Sequence, residues 1–323
     1  MVQVNHKILG CLAGLAIGDA MGRPTELLFN YRRIERKFGR VTSLVGDKPG
    51  AVTDDTRLTL ALADVIIGHG RMITSDELIQ AWKHHPEFGW KKFLKSFKRD
   101  EGFWIGEHLV AWLGRLGIPG TLTGYLNPSS IFVGNEAAMM ISPVGIIYRG
   151  RPGEAAAAAL EVSRAVVAGE ARKAAGAWAA AISYALTEGA DVDGTIDTLR
   201  RYSSYKLRSA IDKALYIAQK YEDVFDVRAE LYSHCLRPVT IDALETISIA
   251  TAMFKIAEAN PMKAVIGGAN FGRDSDTIAG MAGLLSGAIC GIEGLDRETY
   301  ERVCEVNSFD LEEYAVQLAG IRV

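Results

Sequence analysis

Glycines recur at helical spacing in two apolar stretches far apart in the chain. Gly10, Gly14, Gly18 and Gly22 form one series, and Gly280, Gly283, Gly287 and Gly291 form the other. With 3.6 residues per turn, residues four apart drift slowly around one side of a helix. Each glycine costs a helix about 1 kcal/mol relative to alanine. Two such series therefore call for a packing reason, most simply helices that approach their neighbours too closely to admit a side chain. We expect core-packing faces here, not ligand sites.

The rest of the pattern is helical as well. Helices are expected over Leu58–Ile67 with a stop at Gly68, Ser75–Trp82, Glu154–Val167, Glu170–Leu186, Ile196–Tyr202 and Leu207–Tyr221. Further ones are expected over Ile241–Ala259, Asp276–Cys290, Asp296–Val306 and Leu311–Ile321. The two strands that could be argued, Val41–Val45 and Ile131–Val133, are isolated and lack βαβ alternation. No repeat, low-complexity run or linker divides the chain, so one all-α domain over residues 1–323 is expected. Gly117–Pro143 is the longest aperiodic stretch, and a loop that long inside a compact protein is usually functional.

Composition narrows the function classes. The 323 residues carry 36 Lys+Arg against 39 Asp+Glu, a net charge of −3, with 49% hydrophobic and 23% charged residues. This is a globular profile without the basic footprint of a nucleic-acid binder or an acidic-membrane binder. The apolar runs Ile8–Ile17 and Thr277–Ile292 suit neither a cleavable leader nor a membrane span. Cys11, Cys235, Cys290 and Cys304 have no disulfide-framework or metal spacing and read as small buried hydrophobes in a reducing compartment. A cytoplasmic protein is expected, and a monomer, since the glycine faces can be used up within one chain.

Chemistry concentrates in three acidic clusters at helix ends: Gly18-Asp19-Ala20-Met21-Gly22-Arg23-Pro24-Thr25-Glu26, Thr53-Asp54-Asp55-Thr56, and Asn270-Phe271-Gly272-Arg273-Asp274-Ser275-Asp276-Thr277. Neighbouring carboxylates repel unless a cation or water separates them. Asp and Thr oxygens are the hard ligands that Mg²⁺, Mn²⁺ and Ca²⁺ prefer. Taken singly, each cluster reads more readily as ordinary helix N-caps. Spacing alone does not bring the clusters together in space.

In this order, Gly14-x-x-x-Gly18-Asp19-Ala20-x-Gly22-x-Pro24-x-Glu26, Thr53-Asp54-Asp55-Thr56 and Gly272-x-Asp274-x-Asp276-Thr277 resemble the three signatures of the ADP-ribosylglycohydrolase family. The resemblance spans at least residues 7–292. It implies a compact all-α orthogonal helical bundle holding two divalent cations, Mg²⁺ or Mn²⁺, at the floor of a cleft. By that likeness Thr53, Asp54 and Asp55 ligate from one side, and Asp274, Asp276 and Thr277 from the other. Glu26 or Asp55 would do the general-base work, while Asp19 supports the first loop. Gly134-Asn135-Glu136-Ala137-Ala138-Met139 and Ser142-Pro143-Val144-Gly145 resemble the family's ribose- and diphosphate-lining segment. Gly134, Asn135, Glu136, Ser142 and Gly145, together with Asn270, Gly272, Arg273 and Ser275, are thus expected to contact substrate.

The reaction implied is hydrolysis of a ribosyl C1″ N- or O-glycosidic bond through an oxocarbenium-like transition state. The substrate would be an ADP-ribosylated protein or a ribosylated small molecule, with no nucleic-acid or membrane partner. Two departures bear on that substrate. Arg273 stands beside the acidic ligands, either to neutralise surplus charge or to grip a substrate phosphate or carboxylate. Glu136 occupies a place where a small glycine is familiar and points to an altered pocket. A metal-dependent N-glycosidase of a small ribosylated metabolite or nucleoside is therefore the alternative, and a non-catalytic binding relative is a third reading. Elsewhere, the aromatic and lysine-rich stretch from Trp82 to Trp112 reads as an amphipathic helix or a base-stacking surface. The six histidines show no zinc spacing.

Overall fold

The computed structural model describes residues 2–83, 133–321 and 323, and among these the secondary structure is helical. His84, His85 and His108, the aromatic stretch beyond Trp82, and the first part of the aperiodic segment 117–143 lie outside the described residues. Helices α1 (Val2–Gly22), α2 (Tyr31–Phe38), α3 (Asp54–His69) and α4 (Ser75–Lys83) precede that point. After it come α5 (Glu136–Met140), α6 (Ser142–Ile147), α7 (Pro152–Val162), α8 (Gly169–Ala185), α9 (Val192–Tyr202) and α10 (Tyr205–Ala218). Then α11 (Arg228–His234), α12 (Ala243–Ile256), α13 (Pro261–Ala269), α14 (Ser275–Cys290), α15 (Arg297–Asn307) and α16 (Leu311–Gly320) complete the chain. No helix among the described residues is long and apolar enough to cross a membrane.

The glycine series meet each other. Helix α1 packs more extensively on α14 than on any other helix. A methyl group at Gly10 would overlap the backbone of Gly287 and Gly291, and one at Gly14 the carbonyl of Gly283. At Gly18 it would strike Ala279, and at Gly22 the backbone of Asp276. The two helices therefore run antiparallel with backbone on backbone, which close-packed interiors permit only where side chains are missing. Gly280 differs, since it faces the Leu15 side chain at 3.0 Å. This seam fixes the far end of α1 against the start of α14, and there the acidic clusters lie.

Around the seam, α13 packs on α14, α12 lies between α10 and α14, and α8 carries α5, α6 and α7. Helix α8 buries eight alanines and Trp178, so thin helices can gather round it. One connected set of buried apolar side chains runs from Ile8 to Ile321.

Several boundaries differ from the sequence expectation. Helix α3 begins at Asp54, capped by Thr53, and continues past Gly68 to a left-handed Gly70 (φ +64°). The helix expected over Glu154–Val167 ends at Val162 and gives way to a 3₁₀ turn at Ser163–Ala165. Val41 forms no strand: the Asn270 side chain bonds its N–H (2.8 Å) and its carbonyl (2.7 Å), doing what a neighbouring strand would do. Near the second expected strand the pairing reduces to an isolated bridge between Gly134 and Asp242. Cys11 alone of the four thiols is fully buried, and Cys290 is exposed at the end of α14.

Candidate metal and substrate centre

Asp19 organises the first half of the site. It is fully buried on α1, where its carboxylate accepts hydrogen bonds from the Thr53 N–H (2.8 Å), the Thr56 N–H (3.1 Å) and the Thr56 hydroxyl (2.6 Å). Burial raises its pKa, and those bonds oppose the rise. The strap holds the start of α3 against α1 and aims the carboxylates of its first turn. Asp55 is buried, and both the Thr53 and Thr277 hydroxyls donate to its Oδ2, at 3.2 and 3.3 Å. Its Oδ1 is buried with no partner.

The second half arrives on α14. Gly272 (φ +81°) and Arg273 (φ +65°) take successive left-handed conformations, a turn that non-glycine residues rarely adopt. Arg273 is held there by Glu245, which accepts from Nε at 2.7 Å and from Nη2 at 2.8 Å, and by the Arg237 carbonyl at 2.6 Å. The guanidinium thus neutralises Glu245, a fully buried side chain on α12, which is the charge-neutralising role of the two expected from the sequence, exercised on a carboxylate outside the acidic clusters. The next residue, Asp274, accepts from Asn135 Nδ2 (2.5 Å) and from the Thr246 hydroxyl (3.3 Å). Asp276 leaves Oδ1 buried and unpartnered.

Glu26 completes the convergence. Thr25 is buried with its hydroxyl 2.7 Å from the Gly22 and Ala269 carbonyls and 2.9 Å from the Ser275 hydroxyl. This pins the 3₁₀ turn that presents Glu26. Carboxylate oxygens of Glu26, Asp274 and Asp276 come within 4.8 Å of one another. The described residues lining the cleft are Glu26, Asp54, Asp55, Asn135, Glu136, Met139, Ile241, Asp274, Asp276 and Thr277.

The electrostatics are those of a site short of positive charge. Burial and the neighbouring carboxylates push Asp55 and Asp276 well above the ordinary carboxylate range. Burial likewise pushes Asp274 up to about 7 against its hydrogen bonds, and Glu136 up to about 7 with a contribution from Asp54. Orphaned buried oxygens, hard oxygen donors and mutual repulsion together fit a divalent cation.

Not every residue expected at the substrate faces the cleft. Gly134, Ser142, Gly145, Asn270, Gly272, Arg273 and Ser275 are not among its described lining residues. Asn270 clamps Val41, and Ser275 bonds the Gly22 carbonyl at 3.2 Å. Gly145 lies under Ile182 and Ala179 of α8, and Gly272 under Asn30 and Tyr232. Conversely, the sequence reading missed Asp242, Glu245 and Thr246. Asp242 caps α12 by accepting from the Leu244 N–H. Asp242-x-x-Glu245 at the head of an apolar helix is a capping-box pattern, and that signal was available.

Comparison with known proteins agrees with this geometry. A family model described as ADP-ribosylglycohydrolase matches residues 2–322. ADP-ribosylarginine hydrolase Tri1 of Pseudomonas putida (strain GB-1) is 30% identical over 312 residues, covering 93% of this chain and 75% of the relative. ADP-ribosyl-[dinitrogen reductase] glycohydrolase of Rhodospirillum rubrum is 25% identical over 303 residues, covering 91% and 88%. A solved ADP-ribosylglycohydrolase-related protein complex has a chain that matches with a TM-score of 0.72 at 18% identity, covering 100% of both chains, and shares the fold.

Proposed function

Because the chain belongs to the ADP-ribosylglycohydrolase family, we propose that it hydrolyses the ribosyl C1″ N- or O-glycosidic bond of an ADP-ribosylated substrate, using two divalent cations. The observation that carries this reading is the convergence of Glu26, Asp274 and Asp276 beside Asp55, with buried carboxylate oxygens that the protein does not satisfy. A helix cap in solvent would leave no such orphan. Thr53, Asp54, Asp55, Asp274, Asp276 and Thr277 would hold Mg²⁺ or Mn²⁺, with Glu26 at their edge. When bound, the ions supply concentrated positive charge that orients ribose hydroxyls and makes water a better nucleophile at neutral pH.

The chain's own groups perform the rest. Asn135 and Thr246 hold Asp274 in place, and Asp19 holds the turn of Asp54 and Asp55. Glu26, on its pinned turn, takes the proton of the attacking water, with Asp55 as the other candidate base. The carboxylates around C1″ stabilise the positive charge that grows on the sugar as the bond breaks. The names of the relatives favour an ADP-ribosylated protein as substrate, with an arginine linkage.

Mass-spectrometric product analysis tests the reading. The protein, metal-stripped or supplied with Mg²⁺ or Mn²⁺, would be given ADP-ribosyl-arginine, ADP-ribosyl-serine peptide, O-acetyl-ADP-ribose and ribonucleosides. Metal-dependent release of ADP-ribose is the expected result. Base release from nucleosides alone would establish the small-metabolite reading instead. Turnover of nothing, together with metal binding unaffected by Asp54→Ala, would favour a non-catalytic relative.

A further inference from the structure

Six carboxylates line the cleft, and no lysine, arginine or histidine is among the described residues that line it. Five of the six, Glu26, Asp54, Asp55, Asp274 and Asp276, are accounted for by the cation centre proposed above. Two divalent ions bring four positive charges against those five. Glu136 is left over.

Its setting is unusual for a spare carboxylate. Glu136 opens α5 and is 9% exposed, and its Oε2 is buried without a partner. A buried, unpaired carboxylate is among the costlier groups a fold can carry. The local backbone nonetheless makes room for it: a side chain at Gly134 would overlap the Glu136 carboxylate. The arginines of the adjoining turns do not serve it, since Arg273 is bonded to Glu245 and Arg237 to Asp242. Met139 and Ile241 add apolar wall beside it.

Resting on the glycohydrolase reading above, we infer that Glu136 is a specificity-determining residue that pairs with a cationic leaving group, a guanidinium on the acceptor released from ribose. A guanidinium presents two parallel N–H donors to a carboxylate, and its weakly hydrated faces lie well against Met139 and Ile241. It supplies the missing donor and the missing charge together. A hydroxyl leaving group would supply only one donor and leave the charge buried.

Calorimetric titration of agmatine, a small guanidinium, into the full-length protein with Mg²⁺ and ADP-ribose tests this directly. The comparison is between wild type, Glu136→Gln and Glu136→Asp. N-(4-aminobutyl)urea, in which a neutral urea replaces the guanidinium, is the control ligand. The expected result is agmatine affinity at least about tenfold lower in Glu136→Gln, as a lost charge-assisted pair implies. Part of that loss should be recovered in Glu136→Asp, with urea-analogue binding the same in all three. Should Glu136→Gln fail to fold, wild type against Glu136→Asp carries the comparison, with weaker agmatine binding in the latter expected. Equal agmatine affinity in wild type and variant, no agmatine binding to wild type, or an equal loss for the urea analogue would overturn the inference. If agmatine behaves as expected but wild type cleaves no ADP-ribosyl bond, the proposed activity fails while the cation site stands.

Discussion

The seam between α1 and α14 and the cleft at its end share two helices and are both deeply buried, yet they are opposites in chemistry. Along the seam Gly10, Gly14 and Gly18 bring backbone against backbone. One residue pair further on, Gly22 abuts the backbone of Asp276, whose own carboxylate Oδ1 is buried without a partner. The seam is rigid because it is close-packed, and this lets the cleft be strained. Like charges that would push apart on a loose scaffold are held together by a contact with no room to give. The turn between Gly272 and Asp276 repeats the contrast on a smaller scale. There the Glu245 carboxylate is fully matched by Arg273, three residues from an Asp276 oxygen that has no partner.

The comparison can be broken from either side. The largest effect is expected in the cleft: Asp276→Asn should lower metal-dependent ADP-ribose release by about 10³-fold, as for loss of one preorganised charged group, measured as initial rate at saturating Mg²⁺. Next comes Arg273→Met, which strands the buried Glu245 charge and should cost about 3–5 kcal/mol of stability in denaturant titration. On the seam, Gly14→Ala forces a methyl into the Gly283 carbonyl and should cost about 1–3 kcal/mol. Gly280→Ala crowds chiefly the flexible Leu15 side chain, its backbone neighbours lying at ordinary contact distance, and should cost less than Gly14→Ala by the same titration. A contrary order would mean that the seam is not the tight contact described.

The pH dependence sharpens the contrast further. The folded-state pKa of Asp274 is raised to about 7, and those of Asp55 and Asp276 are raised as well. The metal-free fold therefore binds protons more tightly than the unfolded chain. This contribution to stability is complete below the unfolded carboxylate pKa of about 4 and is lost as pH rises through the folded values. In chelator, thermal unfolding should therefore show stability falling between about pH 5 and pH 7.5. Mg²⁺ should flatten that slope by taking the place of the protons.

Two close-packing faces were legible in the sequence, because glycines three or four apart in two apolar helices leave each helix a face with few side chains, suited to backbone contact; that the two faces meet each other was not. The acidic clusters were legible too, as groups of hard oxygen ligands. That Gly22 abuts Asp276 was not, since the register between α1 and α14 sets that contact. Helices α5 and α6, five and six residues long, are too short to show a period. Helix α2 is so rich in charge that its one buried residue, Ile34, gives no stripe. Asn270 and Ser275 have the side chains of substrate ligands, but Asn270 is spent on the Val41 backbone and the Ile266 carbonyl, and Ser275 on the Gly22 carbonyl and the Thr25 hydroxyl. Arg273 was ambiguous because its partner lies 28 residues upstream on another helix, and no spacing rule reaches that far.

The central claim is that the seam delivers Asp276 to a cation centre, and Mn²⁺ titration followed by electron paramagnetic resonance tests it most directly. Two bound ions per chain are predicted for wild type and for Gly280→Ala, with at least one lost in Asp276→Asn. Undiminished Mn²⁺ binding in Asp276→Asn would contradict the account.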